Sequence, residues 1–272
     1  MLQTKLFAKI YAFAILSLLI SCEAPQERGA DEVPPEGPIS IVTTTGLLAD
    51  AVKHVAGDAA VVTSLMGPGV DPHLYKATDR DRRSIMEANV VYYNGLHLEG
   101  RMADVLAKVG ERKPVIAVAE SGIDHTNLIS YNRVRDPHIW FDVMLWKDVV
   151  NFIARDLRER YPIHALTFEN NAAAYTAQLD SLDLRIRTQI NAIPEQQRVL
   201  ITAHDAFAYF GKAYNIEVRG LQGISTISDM SLHDLTHMVD FIVERGIKAV
   251  FVESSVPKRT VEAVVQGARA RG

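Results

Sequence analysis

Three histidines lie in settings that suit metal binding. His73 and His138 each end an Asp-Pro-His tripeptide, and His204 directly follows the apolar run Val-Leu-Ile-Thr-Ala. Neutral imidazole is the commonest metal ligand in proteins, and several imidazoles together suit a borderline cation such as zinc. The sequence therefore predicts that these three side chains converge on one metal ion. A single Asp-Pro-His is also found in ordinary turns, so the prediction of a metal site depends on the tripeptide occurring twice.

A carboxylate adjoins each of these histidines. Asp71 and Asp136 open the two tripeptides, and Asp205 follows His204. A histidine that binds a metal through one ring nitrogen usually donates its other ring N–H to a carboxylate or carbonyl. We therefore expect Asp71, Asp136 and Asp205 to orient the three rings. The remaining histidines fit helix surfaces, turns or the rim of the site, and they are His54, His97, His125, His164 and the i,i+4 pair His233 and His237.

The elements that must position these residues alternate between apolar strands and segments with helical spacing. Continuous apolar strands that alternate with helices are typical of an α/β fold with a parallel sheet covered on both faces. The predicted strands are residues 39–45, 60–66, 89–94, 114–119, 198–203, 216–221 and 249–253. The predicted helices are residues 47–55, 79–88, 101–109, 206–214, 232–245 and 256–271. His204 thus falls at the carboxyl end of a strand, where open α/β sheets bind ligands.

One long helix separates the strands into two sets. Residues 166–193 contain neither Gly nor Pro, and their apolar positions recur every three or four residues. This spacing predicts a continuous helix about 40 Å long. A surface helix of a single domain would show the same pattern. We prefer a rigid strut that joins two lobes with parallel sheets flanked by helices, residues 39–165 and 194–272, with a ligand cleft between them.

The amino terminus has the layout of a bacterial lipoprotein signal. Lys5 and Lys9 precede an apolar run at residues 10–20, which is shorter than the about 20 residues that span a membrane. The following Leu-Ile-Ser-Cys resembles a lipobox. We expect residues 1–21 to be a signal peptide and Cys22 to carry a lipid that anchors the protein to the membrane. An ordinary signal peptide with a nearby cysteine is the alternative.

Residues 22–38 are predicted to be a disordered tether. They are rich in proline and acidic side chains and hold a single β-branched residue, Val33. So little apolar surface cannot offset the entropy lost on ordering. A tether behind a lipid anchor implies an extracytoplasmic protein, periplasmic or on the cell surface.

Composition excludes several classes of protein. The 272 residues include 29 Lys and Arg against 33 Asp and Glu, a net charge of −4, so the chain has no basic excess for binding nucleic acid. The single cysteine excludes a disulfide framework and a zinc site of the Cys-x-x-Cys type.

Six motifs resemble, in order, those of a known family. They are DPHLY (71–75), NGLHLEG (94–100), DPHIWFD (136–142), TAHDAFAYF (202–210), GISTIS (223–228) and VESSVP (252–257). The pattern is similar to the metal-binding lipoproteins of zinc and manganese ABC importers, the cluster A-I solute-binding family. The resemblance implies two α/β lobes joined by a rigid helix, with zinc or manganese held between them by His73, His138 and His204. It also implies delivery of the ion to an ABC permease in the membrane, with no enzymatic activity.

The resemblance further implies a fourth ligand, an Asp beyond the helix that ends here at Gly272. We therefore expect the C-terminal lobe to be incomplete and the sequence to be a fragment. Three imidazoles with at most one carboxylate favour zinc slightly over manganese, which prefers oxygen-rich sites.

Two other functions stay open at this point. A zinc hydrolase needs a general base beside a metal-bound water, and Glu253 at the end of a predicted strand is a candidate, although the chain has no His-Glu-x-x-His motif. A surface adhesin or structural lipoprotein would carry the histidines incidentally.

Overall fold

The computed structural model describes residues 37–227 and 231–271, which belong to one compact unit. The predicted signal peptide at 1–21, the predicted lipid site Cys22 and the predicted tether up to residue 36 lie outside this part of the chain. No helix among the described residues is both long enough and apolar enough to cross a membrane.

A four-stranded parallel sheet forms the centre of the N-terminal part. In the spatial order β2-β1-β3-β4, its strands are β1 (Ile39–Thr43), β2 (Ala60–Ser64), β3 (Val90–Tyr93) and β4 (Val115–Ala117). Ile41 and Tyr92 pack into an apolar cluster on one face, and Val42 and Val91 pack into another on the opposite face. Burial on both faces explains the continuous apolar runs and confirms the predicted α/β class.

Helices cover both faces of this sheet. The first four are α1 (Gly46–Ala56), α2 (Asp79–Glu87), α3 (Ala103–Gly110) and α4 (Val118–Gly122). Helix α1 packs on the Ile41 face through Leu48 and Val52, whereas α2 and α3 pack on the Val42 face through Ile85 and Leu106. The loops at the carboxyl ends of the strands are thereby held on a rigid base.

A hairpin and a further helix follow that lie outside the predicted elements. The hairpin pairs β5 (Ser130–Tyr131) with β6 (Val134–Arg135), and helix α5 (Val143–Arg160) has 18 residues. The carboxylate of Asp142 caps α5 by accepting from the N–H groups of Met144 and Leu145 at 2.9 and 3.3 Å. The hairpin and α5 enclose the second Asp-Pro-His tripeptide, so they fix where it lies.

The long helix is present as α6 (Ala165–Asn191), with 27 residues. Its first half packs against α1 and α5 through a buried stripe that includes Phe168, Ala172 and Leu179. Its second half reaches the next element of the fold, because Asp183 accepts a hydrogen bond from Tyr214 at 3.0 Å. Helix α6 is therefore packed along much of its length and connects the two halves of the chain.

A smaller parallel sheet forms the C-terminal part. Its elements are β7 (Val199–His204), α7 (Ala208–Tyr214), β8 (Glu217–Gln222), α8 (Leu232–Glu244) and α9 (Arg259–Arg271). The predicted strand at 249–253 is reduced to one parallel bridge between Thr202 and Phe251. Phe251 and Val252 are each 52% exposed, so this run lacks the cover on both faces that its apolar sequence implies. A separate apolar cluster joins β7 and β8 to α8 and α9.

The loop that carries the first Asp-Pro-His tripeptide is fastened to α2 by a buried carboxylate. Oδ2 of Asp81 accepts hydrogen bonds from the backbone N–H of Thr78, the hydroxyl of Thr78 and the hydroxyl of Tyr75, each at 2.7 Å. Burial raises the pKa of Asp81, but the hydrogen bonds from Thr78 and Tyr75 outweigh burial and leave that pKa below its ordinary value. Asp81 thus completes a capping box and holds the tyrosine two residues after His73.

We expect Asp81→Ala to lower the free energy of unfolding by about 1–3 kcal/mol at neutral pH, because it removes a cap and leaves buried donors unpaired. A carboxyl group whose folded pKa is lowered stabilises above its unfolded pKa and loses this contribution as pH falls through the folded value. The difference between wild type and variant should therefore shrink as the pH falls below the ordinary pKa of an aspartic acid, about 3.9. Urea unfolding followed by circular dichroism measures it.

The matched control is Asp79→Ala, which removes a neighbouring carboxylate whose side chain is 83% exposed. This change should stay within about ±0.5 kcal/mol. Equal losses for both variants would contradict the role assigned to Asp81.

Candidate metal centre

His73 lies in the loop between β2 and α2, and its side chain is buried. Its backbone N–H donates to Oδ1 of Asp71 at 2.9 Å, which closes an Asx turn over the tripeptide. The other oxygen of Asp71 accepts a hydrogen bond of 2.6 Å from the hydroxyl of Thr226, which follows β8. Asp71 therefore orients the backbone of His73, and it also connects the two halves of the chain.

His138 is fixed by the second tripeptide in a different way. Oδ1 of Asp136 accepts from the backbone N–H of His138 at 2.9 Å and lies 2.7 Å from its ring atom Nδ1. Both side chains are almost completely buried. Because a carboxylate only accepts hydrogen bonds, Nδ1 donates to Asp136, and in the neutral ring this leaves the lone pair on Nε2.

His204 is the last residue of β7, and its ring contacts Glu253. Oε2 of Glu253 lies 2.8 Å from Nδ1 of His204, while Oε1 accepts from the His204 backbone N–H at 3.2 Å. Asp205 instead donates its backbone N–H to the carbonyl of Gln222 at 2.9 Å. Burial raises the pKa of Asp205, and the nearby charge of Asp136 adds to the rise. The acid on the ring of His204 is therefore Glu253 in the described chain.

The structure brings the three predicted histidines together. Nε2 of His138 lies 3.2 Å from Nε2 of His73 and 3.3 Å from Nε2 of His204, and the ligand atoms of all three lie within 4.8 Å of one another. Two nitrogens on a tetrahedral zinc ion, with Zn–N bonds of about 2.0–2.1 Å, are about 3.3 Å apart. The cluster thus has the size of a three-nitrogen metal site.

The electrostatics of the cluster favour a cation. Burial, followed by the charge of His138, lowers the pKa of His73 to about 4, so this ring is neutral near pH 7 and offers a lone pair. Asp136 hydrogen-bonds to Nδ1 of His138, whereas Oε2 of Glu253 lies 2.8 Å from Nδ1 of His204 without making a hydrogen bond to it. The Nε2 atoms of the two rings face and repel each other at 3.3 Å. A positive ion between them relieves that repulsion.

Several buried polar residues hold the loops around the cluster, although they entered the sequence analysis only as parts of motifs. The hydroxyl of Tyr209 donates to the carbonyl of Asp136 at 2.9 Å and accepts from the Ile129 N–H at 3.1 Å. Asn94 donates to the carbonyl of Pro137 at 3.0 Å. Only burial combined with polarity could have indicated these residues, and burial depends on the tertiary fold.

The other histidines lie outside the three-histidine cluster. The ring of His54 stacks on Tyr175 with centroids 4.1 Å apart, and His164 lies beside Phe168. His97 and His125 are exposed, and His233 and His237 pair with each other on α8.

The sequence profile of the family described as "ZnuA: Zinc-uptake complex component A periplasmic" matches residues 41–272. The chain belongs to this family. Two relatives extend the finding across most of the chain. The manganese-binding lipoprotein MntA of Bacillus subtilis (strain 168) is 50% identical over 236 residues, 86% of this chain and 77% of that protein. The zinc-binding protein TroA of Treponema pallidum (strain Nichols) is 40% identical over 273 residues, 100% of this chain and 87% of that protein.

A solved structure shows that the likeness extends to the fold. The periplasmic zinc-binding protein TroA from Treponema pallidum matches with a TM-score of 0.84 and 44% identity, over 87% of this chain and 85% of that chain. The resemblance inferred from the six motifs is thereby confirmed, as is the α/β class.

We expect Tyr209→Phe to lower the free energy of unfolding by about 1–3 kcal/mol, because it leaves the carbonyl of Asp136 and the N–H of Ile129 without their partner. Urea unfolding measures the loss. The control is Tyr175→Phe, whose hydroxyl donates to the exposed carboxylate of Asp50 at 2.9 Å. Water can replace that bond, so the control should lose clearly less stability, and an equal loss in both variants would argue against the buried role of Tyr209.

Proposed function

We propose that this protein captures a divalent transition metal, zinc or manganese, and delivers it to an ABC permease in the membrane. The observation that carries the proposal is the convergence of Nε2 of His73, His138 and His204 at 3.2 and 3.3 Å in a buried place. Membership in the zinc-uptake family and the names of the metal-binding relatives support it.

The proposed binding site lies between two lobes. The N-terminal lobe, residues 39–165, supplies His73 and His138, residues 166–193 form the linking helix, and the C-terminal lobe, residues 194–272, supplies His204. The separate apolar cluster around β7 and β8 supports this division. Hydrogen bonds from Tyr209 to Asp136 and from Thr226 to Asp71 connect the proposed lobes beside the site. Because these contacts and the long packed helix restrain the lobes, ion binding is proposed to involve only small movements.

The donor set favours zinc over manganese in affinity. All three converging atoms are imidazole nitrogens, which suit zinc, whereas manganese prefers oxygen-rich coordination. The relatives include both a manganese-binding and a zinc-binding protein, so the proposal covers both ions and predicts an order of affinity.

We also propose that the protein is a carrier and not an enzyme. The carboxylate oxygens of Glu253, the candidate base of a hydrolase, contact the backbone N–H and the ring of His204. A group engaged in this way orients a ligand. The transport-protein names of the relatives support the same conclusion.

The proposed location is the outer face of a bacterial membrane, with a lipid on Cys22. The lipobox-like sequence and the lipoprotein name of the relative from Bacillus subtilis support this anchor. We expect Cys22→Ala to move the protein from the detergent phase to the aqueous phase in detergent phase partitioning, because the acyl chains are lost. Ser21→Ala keeps a small residue before the cysteine and should leave the protein in the detergent phase. Equal partitioning of wild type and Cys22→Ala would refute lipidation at this residue.

The central test is zinc affinity in single-histidine variants. We expect His73→Ala, His138→Ala and His204→Ala each to weaken zinc binding by more than the about 10–100-fold that loss of an outer partner costs, because each removes a ligand. Competition of the metal-free protein against a chromogenic chelator measures the affinity. Manganese should displace zinc only when it is in large excess.

The matched control is His164→Ala, which removes a half-buried histidine beside Phe168 and should leave zinc affinity unchanged. Circular dichroism verifies that each variant is folded. Similar zinc affinity in all four variants would show that the cluster does not bind the ion.

A further inference from the structure

Helix α8 carries two histidines one turn apart, His233 and His237, here called the α8 histidine pair. Their Nε2 atoms are 3.0 Å apart, and their ring centroids are 4.3 Å apart with the planes at 74°. Residues four apart on a helix lie on the same face, so the backbone itself holds the two rings together. Neither ring belongs to the three-histidine cluster.

The geometry of the α8 histidine pair suits chelation. A zinc ion bound to both rings at about 2.0–2.1 Å needs nitrogens about 3.3 Å apart, a few tenths of an ångström more than the observed separation. The side chain of His233 is 78% exposed, and His237 is exposed as well. Small rotations of exposed rings therefore open the required distance without disturbing the core.

A fixed carboxylate supports one member of the pair. Oδ1 of Asp234 lies 3.5 Å from Nδ1 of His233. Asp234 is itself held by Ser231, whose hydroxyl donates to Oδ2 at 2.6 Å and accepts from the Asp234 N–H at 3.1 Å. A carboxylate beside Nδ1 favours the tautomer in which Nε2 has the free lone pair, as in many metal-binding histidines.

The cavity beside His237 leaves room for an ion and its water ligands. It has a volume of about 590 Å³, and its lining includes Asp234 and His237 of α8, Gly220 and Gln222 of β8, and Asp205. Arg219 also faces this cavity, but its guanidinium donates to Glu217 at 2.8 Å, which offsets its positive charge. The space is therefore open to a hydrated cation.

We propose that the α8 histidine pair is a second metal site, weaker than the central cluster, for a borderline divalent cation such as zinc, copper or nickel. Two imidazoles supply the protein ligands, and water completes the coordination. Two nitrogen donors without a bound carboxylate discriminate against manganese, so this site differs from the central cluster, for which both zinc and manganese are proposed. Its exposure makes it a place where the ion exchanges readily with the surrounding solution.

The test is equilibrium dialysis of the purified full chain against increasing free zinc, with metal content measured by atomic absorption. Wild type should bind two zinc ions per chain, one of them weakly. His233→Gln and His237→Gln should each lose the weaker ion and keep the tighter one. In the same dialysis with manganese, wild type and both variants should bind the same number of ions per chain, and none of the three should bind a second ion.

Two controls keep this proposal separate from the central site. His125→Gln removes an exposed histidine whose ring atom Nε2 lies 3.0 Å from the carbonyl of Glu120, and it should keep both zinc ions. In a His138→Ala background, in which the central site is weakened, His233→Gln should still remove one zinc ion per chain. A second ion that persists in both pair variants, or a wild type that binds no weaker ion, would overturn the proposal, whatever the fate of the tighter ion.

Discussion

The structure depends on one constraint, which is to hold three imidazole nitrogens inside the protein within 4.8 Å of one another, two of them 3.2 and 3.3 Å from the third. Buried lone pairs that face each other repel, and a buried polar atom without a partner costs about 1–3 kcal/mol. Asp136 fixes the ring of His138 through a hydrogen bond to Nδ1, and Glu253 fixes the backbone of His204 by accepting from its N–H. The cluster is therefore built to be completed by a cation.

The surrounding fold meets this constraint through its strands and through hydrogen bonds between the two halves of the chain. Parallel strands deliver His204 and the loop of His73 at their carboxyl ends, and tyrosine and threonine hydroxyls connect the two halves of the chain at Asp136 and Asp71. Each connection uses a residue that also orients one of the three histidines or its loop. The same contacts thus position the histidine rings and join the two halves of the chain.

Much of this arrangement could be predicted from local patterns. The strands, the long helix and the three histidines each have a signal within a few residues of sequence. The role of Glu253 at His204 does not, because these residues are 49 positions apart and only the tertiary fold brings them together. The predicted strand at 249–253 failed for a related reason, since its apolar run indicates burial on two faces, whereas Phe251 is half exposed.

The sequence separations within the cluster have a consequence for folding. His73 and His138 are 65 positions apart, His138 and His204 are 66 apart, and Asp71 and Thr226 are 155 apart. Closing loops of this size costs chain entropy before the contacts that offset this cost have formed. Such contacts therefore form late in folding. A nascent chain that has reached the end of the first sheet contains only one of the three histidines. The three-histidine cluster is thus complete only in the finished protein, and an ion that binds there stabilises the native state through mass action.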